Sequence, residues 1–245
     1  TFDKFKGKNS YEPCQTISET FQEFHLYRMD NNYSGVLGTL IGVNKVSNFG
    51  NGGSNYGALE TMDKWLDYLN HETQLNPKLC VFQFTNIIRD IGHVQSNYRN
   101  TGGLFGAELY EDIKYTIARL NPTHIQTKGD IEKMNPILVK IFNTMLLEVK
   151  KRFTILEEKY GCKCIFLLGS VEEYSRNLIY DIVKNDEYYL PTIYNDVPYE
   201  SWDIMNRKCG LTLRENIGVN DDHPCLESHN WLANQLYKKY LEISK

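Results

Sequence analysis

The chain has 245 residues, with 27 basic and 31 acidic side chains and a formal charge of −4. That length holds one sizeable α/β domain and at most two small ones, and the slight acidity excludes broad binding to nucleic acid or an anionic membrane. The 41% hydrophobic content suits a packed core, and no apolar run approaches the length of a membrane span.

Residues 1–32 are polar and aromatic, with a short helix expected at Thr16–Leu26. Tyr33, Val36, Leu37, Leu40 and Ile41 then repeat at helical spacing, and Gly42 closes that helix. A short strand is expected at Lys45–Phe49, followed by the glycine-rich GNGGSN. Ser54 or Asn55 can cap the next helix, whose apolar stripe is Leu59, Met62, Leu66 and Leu69. KLCVFQF, Lys78–Phe84, reads as a strand buried on both faces of a parallel sheet. Residues 87–134 read as an insertion holding one helix, marked by Leu109, Ile113, Ile117 and Leu120.

Asn135-Pro136 predicts the start of a long helix, with Asn at the N-cap and Pro in the first position. Leu138, Ile141, Phe142, Met145, Val149, Phe153 and Leu156 line one side of it, Gly161 ends it, and KCIFLLG supplies the next buried strand. Over 171–217 the pattern is weak; Tyr188–Tyr194 has strand character that Pro191 turns into an edge or a bend. The last helix is expected from about Leu226 to Leu241, with Leu232, Leu236 and Tyr240 on one face.

Strands alternating with helices predict an α/β fold: a flavodoxin-like three-layer α/β/α domain with a mostly parallel sheet. Right-handed crossovers then collect the strand C-termini on one edge, where ligands of such sheets bind. Gly50–Asn55, Thr85–Arg89 and the loop before the last helix should meet there. The six cysteines, at 14, 80, 162, 164, 209 and 225, do not form a disulfide scaffold. With no secretory signal visible, the chain reads as a reduced, intracellular and cytoplasmic protein. Cys80 reads as a buried free thiol. The Cys162–Cys164 pair lacks two further ligands at metal-binding spacing, so no metal or other cofactor is expected.

The chemistry available at that edge is specific. Gly50 and Gly53 allow a tight strand-to-helix turn whose N–H groups can hold an oxyanion, although a plain turn would need the same glycines. Asn86, just past the apolar run, can donate to a substrate oxygen or simply shape a turn. Arg89 can pair with an acidic substrate or a surface carboxylate. His223 follows Asp221 and Asp222, and a histidine oriented by a carboxylate is the usual general base of hydrolases. His229 reads as a packing or capping residue. Ser170 follows a strand at the same edge but has no matching motif.

These segments resemble, in order, three blocks of the SGNH (GDSL-like) hydrolases. VSNFGNGGSN resembles the second block and puts the oxyanion glycine at Gly53. VFQFTN resembles the third block, Gly-x-Asn, with Phe84 for the Gly and Asn86 for the Asn. NDDHPCLESHNWLANQLY resembles the last block, Asp-x-x-His-Pro, with His223 as base. Asn220 stands where the Asp is usual, so Asp221 or Asp222 must substitute, and Ser228 stands where Gly usually precedes the second histidine, here His229. Phe84, Thr85 and Arg89 are also similar to a "WTs..R" pattern of virus- and phage-encoded members. The chain opens with TFDKF, which resembles the residues just after the family's Gly-Asp-Ser, so the first strand and the nucleophilic serine are expected upstream of Thr1.

The resemblance implies a serine ester hydrolase of a small acyl ester, one carried on a carbohydrate included, with the insertion 87–134 shaping the pocket. Two other readings stand beside it. One is a non-catalytic module of the same fold that binds carbohydrate or protein, favoured by Phe84 and Asn220. The other is a flavodoxin-like phosphate or nucleotide binder using Gly50–Ser54, which leaves Asp221–Pro224 unexplained.

Overall fold

The computed structural model describes residues 32–43, 45–47, 54–71, 75–87, 90, 128–171, 175–214 and 223–245, with backbone alone at 128–134. The expected helices at Thr16–Leu26 and Leu109–Leu120 lie outside the described residues, as do the candidate site residues Gly53, Arg89, Asp221 and Asp222. In chain order the elements are α1 (Tyr33–Ile41), α2 (Asn55–His71), β1 (Leu79–Phe84), α3 (Lys128–Tyr160), β2 (Lys163–Leu168), α4 (Arg176–Val183), β3 (Thr192–Tyr194), β4 (Val197–Tyr199), α5 (Trp202–Cys209) and α6 (Leu226–Ile243). The protein is mixed α/β, and its chain divides into two compact units: residues 49–202, and residues 1–48 with 203–245.

The unit of residues 49–202 is built on a parallel pair. β1 and β2 run in register from Leu79 beside Lys163 to Phe84 beside Leu168. Two parallel neighbours need a long crossover, and α3 lies within it and packs on β2. Ile165 to Leu168 are buried without exception, as continuous apolar sequence predicts. β1 departs from its expectation: only Phe82 and Phe84 are buried, and Leu79, Cys80, Val81 and Gln83 are half-covered. Cys80 is accordingly a half-buried free thiol, and burial together with neighbouring Cys162 pushes its ionisation up. On the other side of β2, Tyr189 forms a parallel bridge to Phe166. The Phe166 N–H donates to Tyr188 O at 2.9 Å and the Leu190 N–H to Phe166 O at 2.8 Å. Pro191, which has no donor, comes directly after this bridge.

The predicted α3 stripe, from Leu138 to Leu156, is buried throughout. Its start is not where Asn135-Pro136 suggests. The helix begins at Lys128, and Pro136 sits inside it. A proline there removes one i→i−4 hydrogen bond, and the buried Asn135 Oδ1 has no partner among the described residues. At the far end Gly161 takes φ +63, a conformation that closes the helix at little cost for glycine. α3 is also tied to α2: Arg152 donates to both Asp63 oxygens at 2.7 Å and to Glu148 Oε2 at 2.8 Å.

Past β2 the weak sequence pattern conceals α4 and an antiparallel hairpin, β3 with β4. Asn195 and Asp196 make the turn, both at positive φ (49° and 63°), as a two-residue hairpin loop of primed type requires.

In the other unit α1 packs against α6. Asn32 caps α1 by accepting from the Gly35 N–H at 3.0 Å, and Gly42 ends it at φ +73. α6 runs two residues beyond its expected end and buries Ser228, Leu232, Ala233 and Leu236, whereas Tyr240 is half-covered. Lys45–Ser47, expected in a strand, are exposed and carry no ladder. No described helix is long and apolar enough to cross a membrane.

Candidate functional site

The C-terminal end of β1 is where the sequence places Asn86, and the structure builds that end from three directions. The first is the start of α2. Ser54 is its cap, with Oγ accepting from the Gly57 N–H at 3.1 Å. Asn55 is thereby freed for another task. Its Oδ1 accepts from the Thr85 N–H at 2.7 Å and its Nδ2 donates to Thr85 O at 3.0 Å. One amide side chain thus pairs with both backbone groups of Thr85, as a neighbouring strand would, and extends the order of β1 past Phe84.

The second is Asp90, whose side chain is fully buried. Its Oδ2 accepts from Asn55 Nδ2 at 2.6 Å and its Oδ1 from the Tyr56 N–H at 2.8 Å. The Tyr56 N–H belongs to the first turn of α2, where free donors and the helix dipole favour an anion. The Asp90 N–H closes a turn onto Ile87 O at 2.8 Å, and Ile87 is buried. Asn86 therefore sits between two anchored residues.

The third is the end of β2. The Gly169 and Ser170 N–H groups both donate to Phe84 O, at 2.9 and 3.2 Å. A Cβ on Gly169 would lie 2.5 Å from Gln83 Cγ and 2.7 Å from Gln83 Cδ, so any other residue there would push the Gln83 side chain aside. Ser170 is thereby held beside Asn86, and its hydroxyl donates to Asn86 Oδ1 at 2.9 Å. Asn86 is half-buried, and Oδ1 being taken leaves Nδ2 as the amide's donor.

His223 belongs to the other unit. Its imidazole is exposed, but its backbone is clamped. The Leu213 N–H donates to His223 O at 2.9 Å, the Cys225 N–H to Leu211 O at 2.8 Å, and Thr212 bridges Pro224. Cys225 is then the N-cap of α6, so the helix start and the 211–213 segment fix where His223 emerges. His229 has the structural task expected of it: Nδ1 accepts from the Tyr33 N–H at 3.3 Å, at the start of α1, and the two rings stack. Ser228 is fully buried and donates to Asn206 Oδ1.

Of the six candidate residues, Asn86 and His223 are the two described, and they fall in different units. Sequence reasoning missed Asn55 as a side-chain clamp, Asp90 and Asn206. An acidic residue after two isoleucines, as in IIRD, is the faint signal of a buried carboxylate at 90. Among the described residues no group of three His, Cys, Asp or Glu side chains could hold a metal ion.

No known family, curated protein or solved structure matches the chain.

Proposed function

We propose that the protein is an ester hydrolase of the SGNH type, acting on a small acyl ester, acyl groups on carbohydrate included. The observation that carries the reading is Asn86: a side-chain amide just past a parallel strand, its backbone neighbours anchored and its Oδ1 satisfied by Ser170. A fixed donor at such an edge suits a developing oxyanion. The Gly53 N–H is the second donor. His223 is the base that takes the serine proton, and Asp221 or Asp222 orients its imidazole. In this reading β1, β2 and the Tyr189 segment belong to a larger, mostly parallel flavodoxin-like sheet covered on both faces, within a single domain.

Two departures from the family pattern are accommodated by packing. Phe84, in place of Gly, turns its ring into the core against Phe142 and Phe166, with centroids 5.1 and 5.5 Å away. Ser228, in place of Gly, meets Asn206.

The test is labelling of the natural protein with a fluorophosphonate, followed by mapping of the labelled peptide. One labelled serine, lost in a folded His223→Ala variant, is expected. Absence of label on the folded protein, or label indifferent to His223, overturns the proposal and leaves the binding-module reading.

A further inference from the structure

We propose that Asp90 is a positioning residue: acting through the Asn55 amide, its carboxylate fixes the backbone at Thr85 and with it the place from which Asn86 offers its side chain. The consequence for catalysis rests on the hydrolase reading, but the relay itself stands on geometry.

Each hydrogen bond in the relay has a single polarity. A backbone N–H can only donate, and a backbone carbonyl can only accept. The Thr85 N–H, 2.7 Å from Asn55 Oδ1, and Thr85 O, 3.0 Å from Asn55 Nδ2, therefore fix which way the Asn55 amide faces. That places Nδ2 at 2.6 Å from Asp90 Oδ2, while the Tyr56 N–H lies 2.8 Å from Asp90 Oδ1, so both carboxylate oxygens accept.

Helix capping does not account for the arrangement, because Ser54 already caps α2 through the Gly57 N–H. A fully buried carboxylate is costly unless its hydrogen bonds are made. This one makes them by tying a short turn to one point on α2. Thr85 and Asp90, the two ends of that turn, are both held by Asn55, and the Asp90 N–H closes the turn onto Ile87 O at 2.8 Å. Ile87 and Asp90 are buried, whereas Thr85 and Asn86 are half-covered at the strand end, and Asn86 brings an amide there.

The test compares Asp90→Asn, alone and combined with Asn55→Asp, with the parent protein by two readouts, at a temperature where circular dichroism shows each variant folded. The first is hydrolysis of a p-nitrophenyl acyl ester. In Asp90→Asn the new amide sets its NH2 against either the Asn55 NH2 or the Tyr56 N–H, so the relay loses a contact in both orientations. Its kcat is expected to fall about tenfold with KM changed less than about twofold, because a displaced donor weakens transition-state binding more than substrate binding. In the combined variant the carboxylate at 55 accepts from the Thr85 N–H and from the amide at 90, so kcat is expected to return to within about threefold of the parent. An unchanged kcat in folded Asp90→Asn, which a purely structural role predicts, overturns the proposal, as does a combined variant no faster than the single one. The second readout needs no catalysis. Hydrogen exchange at the Thr85 N–H is expected to be slow in the parent, about tenfold faster in Asp90→Asn and slowed again in the combined variant. A Thr85 N–H equally protected in Asp90→Asn overturns the proposal, and one that exchanges like an open loop in the parent does so whether or not the variants fold. If the parent hydrolyses nothing while the Thr85 N–H responds as expected, the relay stands and the hydrolase reading falls.

Discussion

Asn55→Ala is the sharpest probe of how the β1 edge is held. The substitution removes three hydrogen bonds: Thr85 N–H to Oδ1, and Nδ2 to Thr85 O and to Asp90 Oδ2. The first two are neutral and contribute about 1 kcal/mol each, and the third reaches a charged group, for about 1.5–3 kcal/mol. Alanine at the first position of α2 returns a few tenths of a kcal/mol through better helix propensity. The net expectation is a loss of about 3–5 kcal/mol, read as the shift in the urea midpoint multiplied by an unchanged m value. In a chain of this size the corresponding fall in Tm is about 10 °C. Asn55→Asp is nearly isosteric, yet it should be worse than alanine. It keeps the acceptor for the Thr85 N–H but sets a second carboxylate oxygen against Thr85 O and the buried Asp90. Pairing Asn55→Asp with Asp90→Asn should recover part of the loss by moving the donor to the other side chain. A loss below about 1 kcal/mol for Asn55→Ala, or an Asn55→Asp variant as stable as the parent, would refute the clamp.

Four further outcomes can be checked by melting curves or denaturant titration. Gly169→Ala should cost about 1–3 kcal/mol through collision with Gln83, and Gln83→Ala in the same chain should relieve it, whereas additive losses would deny the contact. Asp196→Gly should stabilise the protein by about 0.5–1 kcal/mol, because residue 196 is held at φ +63 in the hairpin turn; a loss would mean that the Asp side chain has a task of its own. Ser228→Ala should cost about 1–3 kcal/mol by leaving both ends of the buried Asn206 amide without a partner among the described residues, and adding Asn206→Leu should recover part of that. Burial raises the ionisation of Glu148, but hydrogen bonds from Lys151 and Arg152 outweigh it and leave the folded pKa below its ordinary value. That contribution is present above the unfolded pKa of about 4.3 and is lost as pH falls through the lower folded value, so Glu148→Gln should flatten the acid limb of Tm against pH; an unaltered limb would exclude Glu148 as a contributor.

What the sequence disclosed divides along a physical line. Where one face of an element is buried, periodicity names it: the stripes of α2 and α3 and the apolar run of β2 lie where their spacing puts them. Where the fold depends on a local exception, periodicity misleads. Pro136 looks like a helix start because its missing N–H suits that position, but the helix carries it inside and Asn135 Oδ1 goes without a partner among the described residues. TIYNDVPY hides a hairpin because its strands are short and largely solvated, leaving the Asn-Asp turn as the signal. The site divides in the same way. Asn86 and His223 are the candidates that residue type at a strand end or before a helix picks out. Asn55, Asp90 and Ser170 act through contacts between segments far apart in the chain, and no local pattern encodes those.

That distinction bears on how the departures from the SGNH pattern should be weighed. Judged by residue type, Phe84 for Gly and Ser228 for Gly count against the resemblance. Judged by where the side chains go, they carry less weight. The Phe84 ring is buried in an aromatic cluster with Phe82, Phe142 and Phe166. Large side chains there bury apolar area that a glycine would forgo, at roughly 25 cal/mol per Å2. Ser228 adds a hydroxyl to a fully buried position, which would be costly alone, and Asn206 answers it from α5. In both cases the change is absorbed on the core side of the backbone. The departure with a direct chemical consequence is Asn220, since an amide cannot stabilise an imidazolium as a carboxylate does. In the proposed hydrolase, pH–rate profiles of the two Asn variants decide between Asp221 and Asp222 for that task. The variant that loses orientation of His223 should lose kcat across the whole pH range, and the other should track the parent.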